Sequence, residues 1–129
     1  MAHDAFLADC RARQGFDLIA NTWTAVVVWS LRHGPSRPGE LRARIGGISA
    51  KVLTETLRRL EYNGLVERTS YAGAPPRVEY ALTALGRTLL APIEALGAWA
   101  FEHGDAVLEA QDRSAERARP FVPPGRPGD

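Results

Sequence analysis

The sequence predicts a mainly α fold with one small β-hairpin, an α+β chain in which helices precede and follow two short strands. Three observations carry this. The stretch "ISAKVLTETLRRLEYNG" (residues 48–64) gathers its leucines at helical spacing, "LVERTSY" and "RVEYALT" alternate as strands do around "AGAPP", and "TALGRTLLAPIEALGAWAFEHGDAVLEAQ" returns to a helical stripe. At 129 residues the chain fits one domain, large enough to bury a core and small enough to profit from dimerisation. The expected domain spans residues 1–118, with 119–129 as a flexible tail rich in Pro and Gly.

The first element is a short amphipathic helix over about 2–13, with Phe6, Leu7 and Cys10 on one side and Gly15 as its break. In "FDLIANTWTAVVVWSLRHG" the run Val26, Val27, Val28 suits a strand locally. The spacing Trp23, Val26, Val27, Ser30, Leu31 favours a buried helix, capped by Asn21 or Thr22 and stopped at Gly34-Pro35. In "PSRPGELRARIGGIS" Ser36 or Arg37 caps a helix with Pro38 in its first turn, and Leu41 and Ile45 supply the apolar stripe. Gly46-Gly47 turns the chain into a second helix, with Ser49 as N-cap, Ile48 stapled onto Leu53, and Asn63-Gly64 as the stop. Two helices joined by a Gly turn, over about 37–63, make a helix-turn-helix candidate.

At roughly 100° per residue, Thr54, Glu55 and Arg58 of the second helix fall within about 60° of Lys51, and Leu53, Thr56, Leu57 and Leu60 gather opposite. One face is core; the other carries groups able to reach base edges or phosphates, or else is simply solvated. The hairpin over about 65–82 points Val66, Val78, Tyr80 and Leu82 inward. Pro75 and Pro76 cannot donate to a ladder, so they stiffen a loop flanked by Arg68 and Arg77. Helix, turn, helix and basic hairpin, in that order, describe a winged helix-turn-helix.

The last helix, over about 84–103, is capped by Thr83, bent by Pro92, and striped with Leu85, Leu89, Ile93, Leu96 and Ala100. Such a helix has little of its own chain to pack on, so it and the helix at 2–13 are the expected dimerisation helices. Trp23, Trp29, Trp99 and Phe101 read as core and interface rather than as the lining of a ligand pocket.

The formal charge of +1 conceals a segregation. Residues 32–77 hold nine basic side chains against four acids, while residues 1–31 and 78–129 are each net acidic. A basic middle third is the footprint of a polyanion partner, or of charges spread over separate faces. No window approaches the roughly 18 apolar residues of a membrane span, and no leader pattern opens the chain, so the expected compartment is the cytoplasm, without membrane association. His3, His33 and His103 are too scattered to form a metal cluster with Cys10, and no catalytic constellation or phosphate loop is present. The chain is therefore read as a non-enzyme without metal or other cofactor.

The stretches "DLIANTWTAVVVWSL", "RPGELRARIGGISAKVLTETLRRLEYNGLVER" and "PPRVEYALTALGRTLLAPIEALGAWA" resemble, in order and spacing, the HxlR-type transcriptional regulators, a branch of the MarR-like winged-helix proteins. The resemblance covers roughly residues 10–101. It implies a homodimeric regulator of a nearby or divergent gene, a repressor by expectation, that binds double-stranded DNA at a pseudo-palindromic operator. Carried onto this chain, the DNA-binding positions are Ser49, Lys51, Thr54 and Arg58 on the second helix and Arg77 on the wing. The chain departs from the family at Pro38, where an aromatic is common, at Ala20-Asn21-Thr22 in place of Gly-Gly-Lys, and at Arg11 in place of the proline after the cysteine. Some relatives sense oxidants or electrophiles through that cysteine. In this chain Arg11 and Arg13 favour a reactive Cys10 thiolate, whereas its place on the Phe6-Leu7 face favours an inert packed thiol. A small-molecule effector or a thiol-reactive signal is compatible with this reading. The alternative is a winged helix used for protein-protein assembly without sequence-specific DNA binding.

Overall fold

In the computed structural model, which describes residues 11–120, three side-chain caps start helices. The first described helix, α1, is Arg11–Ala20, and α2 is Thr22–Ser30, with Asn21 Oδ1 accepting from the Trp23 amide at 3.0 Å. α3 is Pro38–Ile45 and α4 is Ala50–Tyr62, with Ser49 Oγ accepting from the Val52 amide at 3.1 Å. Strands β1 (Val66–Tyr71) and β2 (Arg77–Leu82) pair antiparallel in the register Val66↔Leu82 to Tyr71↔Arg77. Then follow α5, Ala84–Arg87, under its Thr83 cap, and α6, Leu90–Ala118.

The triple valine lies in helix α2, where Val27 and Val28 are fully buried. Tertiary burial overrides their local strand preference. They meet Leu31, Leu41, Ile48, Leu53, Leu57, Leu60, Leu65, Val66, Tyr80 and Leu82 in one core. Ile48 and Leu53 are both buried, as the staple requires. Gly46 and Gly47 both take φ of 70°, a region hostile to side chains, and so permit the tight α3–α4 turn. α4 ends in paired bonds, Leu65 N to Leu60 O at 2.9 Å and Gly64 N to Glu61 O at 3.0 Å, which satisfy carbonyls left open by the last turn.

The structure corrects the expectations for Gly15 and for the last helix. Gly15 does not break its helix: α1 runs through it, and the break falls at Asn21, whose extended backbone serves the cap of α2. The part of the expected N-terminal helix before Arg11, and Cys10 with it, lie outside the described residues, as do residues 121–129 of the tail. α3 is capped at Arg37, one of the two expected positions, with Pro38 in its first turn and the Glu40 carboxylate accepting from the Arg37 amide at 2.9 Å. Ser36 is drawn into a bridge with Tyr80, each amide donating to the other's carbonyl at 2.9 Å, which ties the α2–α3 loop to the hairpin.

The expected bent helix after Thr83 is two helices. Proline at 92 has no amide for the Thr88 carbonyl, so the chain breaks at Thr88-Leu89 and Pro92 falls in the first turn of α6, where no donor is missed. α6 then continues to Ala118 rather than ending near 103. The stripe divides accordingly: Leu89 and Ile93 pack on the core, and Leu85 is exposed.

The chain forms two compact units, the first ending at Glu94 and the second beginning at Ala95. The second is the remainder of α6, where Leu96, Trp99, Phe101, Val107 and Leu108 are exposed and the Trp99 ring lies 5.4 Å from that of His103. No helix among the described residues is long and apolar enough to cross a membrane.

Candidate nucleic-acid interface

Ser49 opens the helix that matters most. Its hydroxyl oxygen caps α4, and its own proton remains available to a second acceptor at the exposed start of the helix. From there the amphipathic pattern sorts the side chains. Leu53, Thr56, Leu57 and Leu60 are buried, and the Thr56 hydroxyl is satisfied by Val52 O at 2.8 Å. Lys51, Thr54, Glu55 and Arg58 are exposed. Lys51, Thr54 and Arg58 therefore share one outward face, and Ser49 stands at the N-terminal, positive end of the helix.

Tyr62 joins that face and was missed by sequence reasoning. It stands 90% exposed, and at roughly 100° per residue it falls about 20° from Lys51. Extending the same count by one turn finds it.

Arg77 is on another element, at the first position of β2, exposed. Its guanidinium carbon sits 5.1 Å from the centre of the Tyr71 ring, its partner across the hairpin. Both strands bury their inward residues: Val66, Tyr80 and Leu82 are buried, and Val78 packs against the core.

The basic residues of the middle third are not equivalent. Arg44 donates to Ser30 O at 2.6 Å and to Ser36 Oγ at 3.3 Å, and Arg59 donates to Thr24 Oγ1 at 2.8 Å. Arg32 lies 4.5 Å over the Trp29 ring and donates to Trp29 O. These three hold the fold together. Arg37 stands 4.0 Å from Glu40. Lys51, Arg58, Arg42 and Arg68 make no hydrogen bond or ion pair among the described residues, so their donors are available to an incoming anion. The charge count along the sequence is thus too generous by the three structural arginines, and the remainder lies largely on α3, α4 and the hairpin.

Trp23 packs against the core and Trp29 is half-buried. The hollow between the α2–α3 loop and α3 has a volume of about 100 Å³ and is lined by His33, Gly34, Pro35, Ser36 and Arg44, without any tryptophan.

Comparison with known proteins places this geometry. The model of the HxlR-like helix-turn-helix family matches residues 18–107. The HTH-type transcriptional regulator YtfH of Escherichia coli (strain K12) is 34% identical over 110 residues, covering 85% of this chain and 87% of YtfH. Among solved structures, the redox regulator HypR in its reduced form superposes with a TM-score of 0.69 at 34% identity, covering 77% of this chain and 97% of HypR. Diamide-treated YodB from B. subtilis gives 0.63 at 34% identity, covering 74% of this chain and 96% of YodB. Helix-turn-helix, hairpin and sequence agree: the chain is a transcriptional regulator, not an enzyme, and belongs to the HxlR-like helix-turn-helix family.

Proposed function

We propose that this regulator binds a pseudo-palindromic operator as a homodimer and represses the gene beside it. The observation that carries the reading is the exposed face of α4: Lys51, Thr54 and Arg58, whose side chains have no partner among the described residues, stand opposite a buried face of Leu53, Thr56, Leu57 and Leu60. A helix held rigidly by one side and offering donors on the other suits the major groove. Lys51 and Arg58 contact bases or phosphates, Ser49 and Thr54 add hydrogen bonds, and Arg77 anchors the wing on the backbone. A second copy is supported by the exposed apolar residues of α6, Leu96, Trp99, Phe101 and Leu108, which water solvates poorly. Two recognition helices in a dimer meet half-sites about one helical turn apart. A dimer seated on a promoter obstructs polymerase unless it also recruits it, so repression is the simpler sign.

Titrating labelled duplex from the chain's own upstream region at two salt concentrations tests the reading. Salt-sensitive, sequence-selective binding is the expected result. Its absence, with the chain folded, identifies a protein-protein assembly module instead. A reporter driven from the same region should rise when the gene is deleted.

The redox character of HypR, and the diamide treatment of YodB, favour a thiol-reactive signal as the effector. Cys10, the chain's one cysteine, is then the reacting group. Diamide should lower operator binding by the parent and leave Cys10→Ser unaffected; equal responses exclude the cysteine.

A further inference from the structure

We propose that Tyr71 is a positioning residue for Arg77, holding the wing guanidinium by its ring and leaving both the charge and the donors of that guanidinium free for DNA. The inference rests on the reading of Arg77 as a backbone contact. Tyr71 and Arg77 are directly paired at the loop end of the hairpin, and the guanidinium carbon lies 5.1 Å from the ring centre, within cation–π range. A guanidinium carries its N–H groups in its own plane, so a ring on one face removes none of them.

The alternative tether in reach is electrostatic. Glu79 lies two residues along the same strand, on the same side of the hairpin as Arg77 and Tyr71. Yet no ion pair joins Arg77 to any acid among the described residues. A carboxylate would hold the arginine while cancelling the charge that a phosphate needs. An aromatic ring holds it and cancels nothing. The ring also lowers the number of orientations available to a long side chain before DNA arrives, which reduces the ordering cost on binding.

The test is a double-mutant cycle on binding of the full chain to duplex DNA from its own upstream region, with thermal unfolding alongside. Tyr71→Leu should weaken binding about two- to five-fold, the range of an exposed cation–π contact, and Tyr71→Phe should bind like the parent. In an Arg77→Ala background Tyr71→Leu should have no further effect, because its only route to DNA is gone. Equal losses from Tyr71→Leu in both backgrounds overturn the proposal and indicate a hairpin defect. Weak binding by Tyr71→Phe also overturns it and assigns the role to the hydroxyl. If Arg77→Ala weakens binding while Tyr71→Leu does not, positioning fails and the wing contact stands. If Arg77→Ala binds like the parent, the wing contact itself fails and the proposal goes with it.

Discussion

Arg59 of α4 donates from Nη2 to the hydroxyl oxygen of Thr24 in α2 at 2.8 Å, across 35 residues of sequence, and Thr24 is only 1% exposed. The residue before Arg59, Arg58, is exposed, and its side chain has no partner among the described residues. Adjacent arginines of one helix thus have opposite duties. One fastens the helix to the core, and the other faces outward.

The pair yields a crossed prediction. Arg59→Ala should cost about 1–2 kcal/mol of stability, the worth of a hydrogen bond from a charged donor, with Thr24 left lacking its partner. Arg58→Ala should change stability by less than about 0.5 kcal/mol but weaken operator binding about tenfold, as loss of a base or phosphate contact does. Urea unfolding and a gel-shift titration on both variants decide it. Matching profiles for the two would show that the helix is not sorted as described.

This contrast marks what could be read in the sequence. The caps at Asn21, Ser49 and Thr83 depend on groups within three residues of each other, so the local order of polar and apolar residues suffices to find them. The outward face of α4 follows from periodicity alone. Arg59 offers no such signal: its partner comes from another helix, and at the edge of the buried face it is indistinguishable by spacing from a solvated arginine. Pro92 misled for a related reason. A proline within an apolar stripe reads as a bend, but where the helix restarts depends on how Leu89 and Ile93 pack on the core, which is a tertiary matter. On propensity Gly15 reads as a breaker, a preference of about 1 kcal/mol that packing of nearby Leu18 on the core readily exceeds.

Gly86 is required by close approach. A β-carbon there would stand 2.0 Å from the Leu65 carbonyl oxygen, which already accepts from the Thr83 amide at 3.1 Å. Thr83 donates to Gly64 O at 2.6 Å and accepts from the Gly86 amide at 3.0 Å, so the corner joining β2 to α5 is locked onto the corner joining α4 to β1. Gly86→Ala must push backbone from backbone and should cost about 3 kcal/mol. Thermal unfolding checks it; a melting temperature like the parent's would show that the corner yields.

At Ser49 stability and DNA binding can be separated by choice of substitution. Ser49→Ala removes the cap and should cost about 1 kcal/mol, confounding the two. Ser49→Asp keeps a strong capping acceptor and suits the helix dipole, so stability should stay within about 0.5 kcal/mol of the parent. The added negative charge facing a phosphate should nevertheless weaken binding about tenfold at low salt, less as salt rises and screens it. Circular dichroism melts and anisotropy titrations at two salt concentrations test this. Undiminished binding would place Ser49 away from the DNA backbone.

Phe101 is 95% exposed on α6, with Leu108 one heptad further along at 59%. Two apolar side chains seven residues apart lie on nearly the same line of a helix, and a second copy of the chain is the simplest cover for them. Phe101→Asp removes no core contact, because so exposed a ring packs on little, and its effect on the fold of residues up to Glu94 should be negligible. It should place a charge inside the dimer seam, where an unpaired carboxylate is strongly disfavoured. The expected outcome is a monomer in analytical ultracentrifugation with an unchanged far-ultraviolet spectrum. On DNA the variant should lose its preference for the paired operator over a single half-site, since that preference comes from linking two recognition helices in one particle. A Phe101→Asp protein that still sediments as a dimer would assign the seam to other residues, and Leu108→Asp would then test the rest of the same line.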